Sequence, residues 1–396
     1  MTTSTDSPQV NWADIAVISV LVGLFACAVG GTPVLMGVLL RQENQTASFI
    51  GLSAAMTPLG LITAAFITPR IAQRMGAVTT ALSCALLGAA LLLSMAAIPD
   101  SHFWLVARFA WGMAISGFYV VNKAWLAELT PASSRGRVIG IYSTVLAAGF
   151  SMGPASLAAV NFAPFASLGI LAGALVVCAV TLLAWQHRAP SFRGKERVSV
   201  LSFIPCAPVL LLASAAFGVF DHVTLGFLPA YGAGHGVSLT QMGVAVAALN
   251  VGNVLLQTPI GWLADRFPRE RILIGCALLT AIGALALPYA IGSWLLMPFL
   301  FVWGALAYGV ATVAVALLGD HFQGGALLAG SAALTMAGGL GGIAGPPMVG
   351  AAIDVFGWRA LPVSLCAAFL LLGIAVFFAG VVRPGSSKEN LNPSRS

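Results

Sequence analysis

Charged side chains are missing from stretch after stretch of this 396-residue chain, and each stretch is long enough to cross a lipid bilayer. A spanning helix needs about 20 mostly apolar residues. Residues 15–40, 44–69 and 75–99 each supply one span with no charge at all. Residues 101–127 supply a fourth, interrupted by Arg108 and Lys123. Residues 138–187 hold two spans with a break at Asn161-Phe162-Ala163-Pro164, and residues 198–264 hold two more, broken at 232–238, with Asp221 as their single charge. Residues 272–319 divide near Gly292-Ser293, while 322–353 and 360–382 give one span each, which brings the total to twelve. Charged residues make up 8% of the chain, against about 25% in soluble domains, so a water-soluble enzyme is excluded.

The cysteines Cys27, Cys84, Cys178, Cys206, Cys276 and Cys366 stand singly in apolar surroundings. Without a CxxC pair or ligand spacing, neither a disulfide framework nor a metal site is expected, and no cofactor is implied. A net charge of +6 spread over so few charges gives no basic patch for nucleic acid. The polar start of the chain lacks Lys and Arg, and the apolar run after it is too long for a signal-peptide core, so the N-terminus is expected to stay uncleaved.

Positive residues fix the expected orientation. Arg70, Arg74, Arg135, Arg137, Arg188, Arg193, Lys195, Arg197, Arg266, Arg269, Arg271, Arg383, Lys388 and Arg395 all fall in alternate loops and the C-terminal tail. Arg41 and Arg359 fall on the other side. The positive-inside rule then puts both termini in the cytoplasm, and a bacterial inner membrane, crossed many times, is the expected location.

A shift of 192 residues lays the chain on itself. Gly51 falls on Gly243, residues 69–74 on 261–266, Phe109, Trp111, Gly112 and Gly117 on Phe301, Trp303, Gly304 and Gly309, Glu128 on Asp320, and Gly153-Pro154 on Gly345-Pro346. One offset serving five separated sites is evidence of duplication. The expected fold is therefore all-α: two parallel six-helix repeats, residues 1–186 and 206–382, joined by a basic cytoplasmic linker (187–205) and followed by a tail (383–396). Such repeats are a transporter arrangement, with the solute site near mid-bilayer. The chain is expected to act as a monomer in the bilayer.

Four motifs then resemble those of the major facilitator superfamily, over essentially the whole chain. Residues 261–269, with Asp265, Arg266 and Arg269, are similar to the family's GxLADRxGR loop. Its first-half counterpart keeps Arg74 and Gly76 but has Gln73 where the family has Asp. Glu128 followed by Arg135-Gly136-Arg137 resembles ExxxxxxRGR, and Arg108 with Gly112 resembles RxxxG. Gly140, Gly149, Gly153 and Pro154 resemble a segment of proton-antiporting exporters, although its closing Gly-Gly is here Leu157-Ala158. The resemblance implies a transporter fold of twelve helices that works by alternating access. Arg74, Glu128, Arg135, Arg137, Asp265, Arg266 and Asp320 would then form a cytoplasmic gate, as carboxylates and guanidiniums at helix ends can hydrogen-bond to one another. The competing reading is that these charges only anchor helices and fix topology. Gly149, Gly153, Pro154, Gly345 and Pro346 are expected to act as packing and hinge positions.

Ionised groups at bilayer depth cost at least about 2.5–3.5 kcal/mol and usually mark a pathway. Asp221 is the proton-carrier candidate, with a structural ion pair as the competing reading; Arg108 is either a proton-coupling or a packing residue. His222 stands beside Asp221, as a relay or as a satisfied helix–helix hydrogen bond. Asn122 and Lys123 lie within about 40–60° of Arg108 around their helix and are cavity candidates, although Lys123 can also snorkel. Asn250, Asn253 and Gln257 share one helical face; they and Tyr308 and Trp303 complete the expected cavity, with helix packing as the other reading for Trp303, because it has a repeat counterpart in Trp111.

The function expected from all this is secondary active transport of a small solute, amphiphilic or anionic, with the proton as coupling ion and efflux as the direction. The alternatives are metabolite uptake by symport or uniport, and a non-transporting sensor or membrane enzyme. No HExxH, GxSxG or GxxxxGK[ST] is present to support catalysis or ATP hydrolysis.

Overall fold

A computed structural model describes residues 11–130, 134–189, 203 and 205–379. Among them lie twelve long helices and no strand. They are α1 (Trp12–Gln42), α2 (Ala47–Met75), α3 (Ala77–Ala97), α4 (Ser101–Leu129), α5 (Arg135–Ala159), α6 (Pro164–Trp185), α7 (Pro208–Gly234), α8 (Leu239–Arg266), α9 (Arg269–Ala290), α10 (Leu296–His321), α11 (Gly324–Phe356) and α12 (Ala360–Ala379). All twelve are long and apolar enough to span a bilayer. Only helices satisfy every backbone group within one segment, and an apolar run in lipid needs that.

The chain breaks where local chemistry stops a helix. Gly76 separates α2 from α3 at φ 87°, a left-handed value that few other residues adopt. Asp100 caps α4 by accepting from the amides of His102 and Phe103, and Ser238 caps α8 in a reciprocal pair with Gln241. Pro164 and Pro208 open α6 and α7, where a missing N–H costs nothing. The breaks expected at 161–164, 232–238 and 292–293 all fall at the junctions α5–α6, α7–α8 and α9–α10.

Large apolar side chains both fill the interior, as Trp111, Trp125 and Phe220 do, and cover the outer surface. Phe66, Val180, Leu371, Phe377 and Phe378 are all at least 60% exposed, as suits side chains bathed in acyl chains. Buried hydroxyls return their hydrogen bonds to their own helix: Ser19 to the carbonyl of Ile15, Thr32 to that of Ala28, Thr280 to that of Cys276. Polar groups are thereby satisfied without a partner helix.

By contacts, the described chain forms two compact units. Among the described residues, one comprises residues 11–32, 60–130 and 134–189, the other residues 33–59, 203 and 205–379. In the first, α5 crosses α1 with Gly149 against the carbonyl of Gly23 and Gly153 against that of Cys27. In the second, α11 crosses α7 with Gly341 against the carbonyl of Ala215 and Gly345 against Val219. Those pairs are related by the 192-residue shift. A third pair obeys it too: Gly60 meets the Phe109 carbonyl between α2 and α4, and Gly252 meets that of Phe301 between α8 and α10. At each crossing a Cβ would strike backbone, so the repeat is kept where helices touch. Pro154, Pro346 and Pro347 lie inside α5 and α11.

Candidate functional site

The second unit gathers polar side chains from α7, α8 and α10. Asp221, midway along α7, accepts a hydrogen bond at Oδ1 from the Tyr308 hydroxyl of α10. Asn250 Oδ1 of α8 lies 3.4 Å from the same hydroxyl, and its amide nitrogen donates to the Val246 carbonyl at 3.2 Å. One turn further, the Thr312 hydroxyl donates to Gln257 Oε1, while Gln257 Nε2 reaches the Ala305 carbonyl at 3.5 Å. Phe217 presses its edge on the Tyr308 ring, centroids 4.9 Å apart. The Asp221 side chain is 23% exposed and that of His222 29%, so neither is fully buried.

His222 Nδ1 sits 3.0 Å from the Gly218 carbonyl and 3.8 Å from Asp221 Oδ2. With its Nδ1 proton given to the backbone, the ring makes no hydrogen bond to the carboxylate. The ring also fills the space over Gly342 of α11, where a Cβ would collide with it. Trp303 is 2% exposed, donates to the Thr280 carbonyl at 2.9 Å and packs on Phe220 and Phe299. That is the packing alternative rather than the cavity lining. Asn253 is half-buried on α8.

At the other end of α8 the geometry corrects an expectation. Arg269, not Arg266, bridges the two carboxylates: it meets Asp265 at 2.8 Å and also pairs with Asp320 of α10. It further donates to the carbonyls of Ala264 and Ala316. Arg266 instead lies over the Trp262 ring, 5.2 Å from its centroid. Neighbours in a helix point about 100° apart, so Asp265 turns from Arg266 toward the residue four later.

The first unit holds Arg108 at 2% exposure and Asn122 at 0% on one face of α4. Among the described residues, neither amide atom of buried Asn122 has a hydrogen-bond partner, nor do the buried hydroxyls of Tyr119 and Tyr142. Lys123 is exposed. The expected first-half charge cluster does not form among the described residues: Arg74, Glu128 and Arg137 are exposed and enter no ion pair. Gln73 supplies no carboxylate to organise them, and the Arg135 side chain lies outside the described residues. No group of His, Cys, Asp and Glu suited to a metal is found among the described residues.

The two repeats agree at the crossings and disagree here. Asp221, Asn250, Gln257 and Tyr308 fall opposite Val29, Pro58, Ala65 and Ser116, while Arg108, Asn122 and Lys123 fall opposite Leu300, Ala314 and Val315. Scaffold residues persist through the duplication, whereas the polar residues are private to one half. The sequence placed Arg269 in the loop motif but not among the gate residues, and it singled out neither Thr312, an ordinary hydroxyl, nor Asp354, a charge at a helix end.

Comparison with known proteins places this geometry. A family model described as Major Facilitator Superfamily matches residues 18–234 and 209–396. The chain is 26% identical over 334 residues to the uncharacterized MFS-type transporter YE1530 of Yersinia enterocolitica, covering 82% of this chain and 85% of that one. It is 25% identical over 260 residues to the uncharacterized MFS-type transporter YfkF of Bacillus subtilis, covering 61% of this chain and 64% of that one. Among solved structures, a bacterial homolog of the human lysosomal transporter Spinster, inward-facing and occupied, aligns with a TM-score of 0.79 at 15% identity, covering 97% of this chain and 100% of that one. A D-xylose–proton symporter aligns with a TM-score of 0.72 at 17% identity, covering 94% and 97%.

Proposed function

The chain belongs to the Major Facilitator Superfamily, and from that premise we propose that it is a proton-coupled secondary transporter exporting a small solute, with Asp221 as the group that carries the proton. The observation that carries this reading is the Asp221–Tyr308 hydrogen bond beside Asn250. It sits in a partly exposed cluster whose members all have apolar or small counterparts in the other repeat.

The Tyr308 hydroxyl lowers the cost of holding a carboxyl group at this depth. An ionised carboxylate at bilayer depth costs about 2.5–3.5 kcal/mol, and a hydrogen bond to a charged group returns about 1.5–3 kcal/mol. Gln257, Thr312 and Asn250 offer amide and hydroxyl groups to the solute, and Phe217 offers it an apolar edge. Asn122, Lys123 and Arg108 supply the polar face of α4. The transport cycle exposes these groups to each side of the membrane in turn, the termini facing the cytoplasm and the Arg269 bridge closing the inner end of the second half.

The test is accumulation in proteoliposomes under an imposed pH gradient, over a panel of anions, sugars and hydrophobic cations. Asp221→Asn is expected to abolish gradient-driven accumulation while leaving solute exchange at equal pH. An unchanged proton dependence removes Asp221 from the mechanism. The sign of the gradient that drives accumulation separates export from uptake.

A further inference from the structure

A second polar network lies far from Asp221. Asp354, in the last turn of α11, accepts at Oδ1 from the Ala47 amide (2.8 Å) and at Oδ2 from the Ser48 amide (2.8 Å) and the Ser48 hydroxyl. Ala47 and Ser48 open α2, where amide groups have no partner inside the helix and the dipole is positive. A carboxylate 306 residues away along the chain therefore caps this helix. Close by in sequence, Arg41 in the last turn of α1 lies over the Trp358 ring, 5.6 Å from its centroid. Trp358 in turn meets Phe227 and Tyr231 of α7.

Beneath these contacts the helices touch through glycine. Gly37 of α1 abuts the Gly226 carbonyl of α7, Gly51 of α2 abuts that of Pro346 in α11, and Gly350 abuts that of Ala47. Residues 33–59 belong by contacts to the same compact unit as α7 and α11. Glycine contacts bring backbones close but interlock few side chains. The cap and the ring stack add charge-assisted and aromatic contacts at the ends of these crossings. The repeat does not explain these residues: Arg41, Asp354 and Trp358 fall opposite Ala233, Phe162 and Ala166.

We propose that Asp354 and Arg41 form a latch that holds residues 33–59 closed on α7 and α11 at the extracytoplasmic end and releases them when the protein opens to that side. The proposal rests on the alternating-access reading and on the loop-charge orientation. In the closed state the carboxylate satisfies two helix-end amides; in the open state water takes its place on both partners. Removing the carboxylate thus weakens the closed state alone and shifts the population toward the open one.

The experiment uses the full chain with its six cysteines replaced and a single cysteine at Val38, which is 2% exposed and lies beside the Gly37 contact. A membrane-impermeant maleimide is applied to right-side-out and inside-out vesicles. Asp354→Ala is expected to speed labelling of V38C about tenfold in right-side-out vesicles, by loss of charge-assisted hydrogen bonds, and Arg41→Ala is expected to speed it less. A reporter cysteine at Leu365, 0% exposed on α12, keeps its labelling rate in both variants. Unchanged V38C labelling in both variants overturns the latch. Equal acceleration at 38 and 365 also overturns it, because that is general loosening. Acceleration confined to inside-out vesicles overturns the extracytoplasmic placement and with it the orientation used above. The role of Asp221 stands or falls separately, on the pH-gradient assay.

Discussion

Tyr308 has one hydroxyl proton and gives it to Asp221, so its replacement is the most direct probe of the cluster. Tyr308→Phe keeps the ring that packs on Phe217 and removes only the donor. Loss of a hydrogen bond to a charged group costs about 1.5–3 kcal/mol. The expected outcome is a fall of about 10- to 100-fold in gradient-driven uptake into inside-out vesicles, with unchanged melting within a few degrees. A variant that transports at the parent rate would show that the phenol does not serve the carboxylate. Asn122 tests the opposite balance. Its buried carboxamide has no partner among the described residues, and such a group costs about 1–3 kcal/mol. Asn122→Leu is therefore expected to raise the detergent melting temperature by a few degrees and to lower transport, the exchange of stability for function expected at a working site. A lower melting temperature would mean that the amide is structurally satisfied. At this scale the sequence told much about Asp221, Arg108 and Asn122, because a polar group inside an apolar run is conspicuous. It told little about Asp354 and Arg269. Charges at helix ends look alike until the fold shows which amide or carboxylate each one meets.

Helix crossings explain why the duplication was visible at all. Gly149 and Gly341 occupy one position in the two repeats, and each abuts a carbonyl of the first helix of its half. Gly169 and Gly173, on α6, have open space where a Cβ would go. Overpacking a tight contact costs about 1–3 kcal/mol, so Gly149→Leu and Gly341→Leu are each expected to lower the melting temperature in detergent, and Gly173→Leu is not. Equal tolerance at all three sites would show that the crossings have slack. Helix number and helix breaks were legible because length, proline and capping residues act locally. The grouping of residues 33–59 with α7 and α11 was not. Its contacts join positions about 190 to 310 residues apart, and no local pattern records such a pairing.

For the molecule as a whole, charge asymmetry makes a prediction that helix count alone does not. Fourteen of the 18 Lys and Arg residues fall on one set of loops and the C-terminal tail, two on the other set. Twelve spans return the chain to the side from which it started. Translocation of basic loops is disfavoured, so the loops around Arg74, Arg188 and Arg269 are expected inside, and those around Arg41, Asp100 and Gly236 outside. Alkaline phosphatase, which needs an oxidising compartment to form its disulfides, is expected to be active when fused after Glu43 or Gly236 and inactive after Pro268. A fluorescent protein that folds only in the cytoplasm reverses the pattern. The two reporters disagree at every junction if the assignment holds. If activity appears after Pro268, the inner and outer ends exchange: the Arg269 bridge becomes an external contact, the Asp354 latch an internal one, and the driving gradient for export changes sign. Each end of the second half thus carries a charged lock of its own, one built from an arginine between two carboxylates and the other from a carboxylate on a helix end. The topology assay decides which of them meets the proton first.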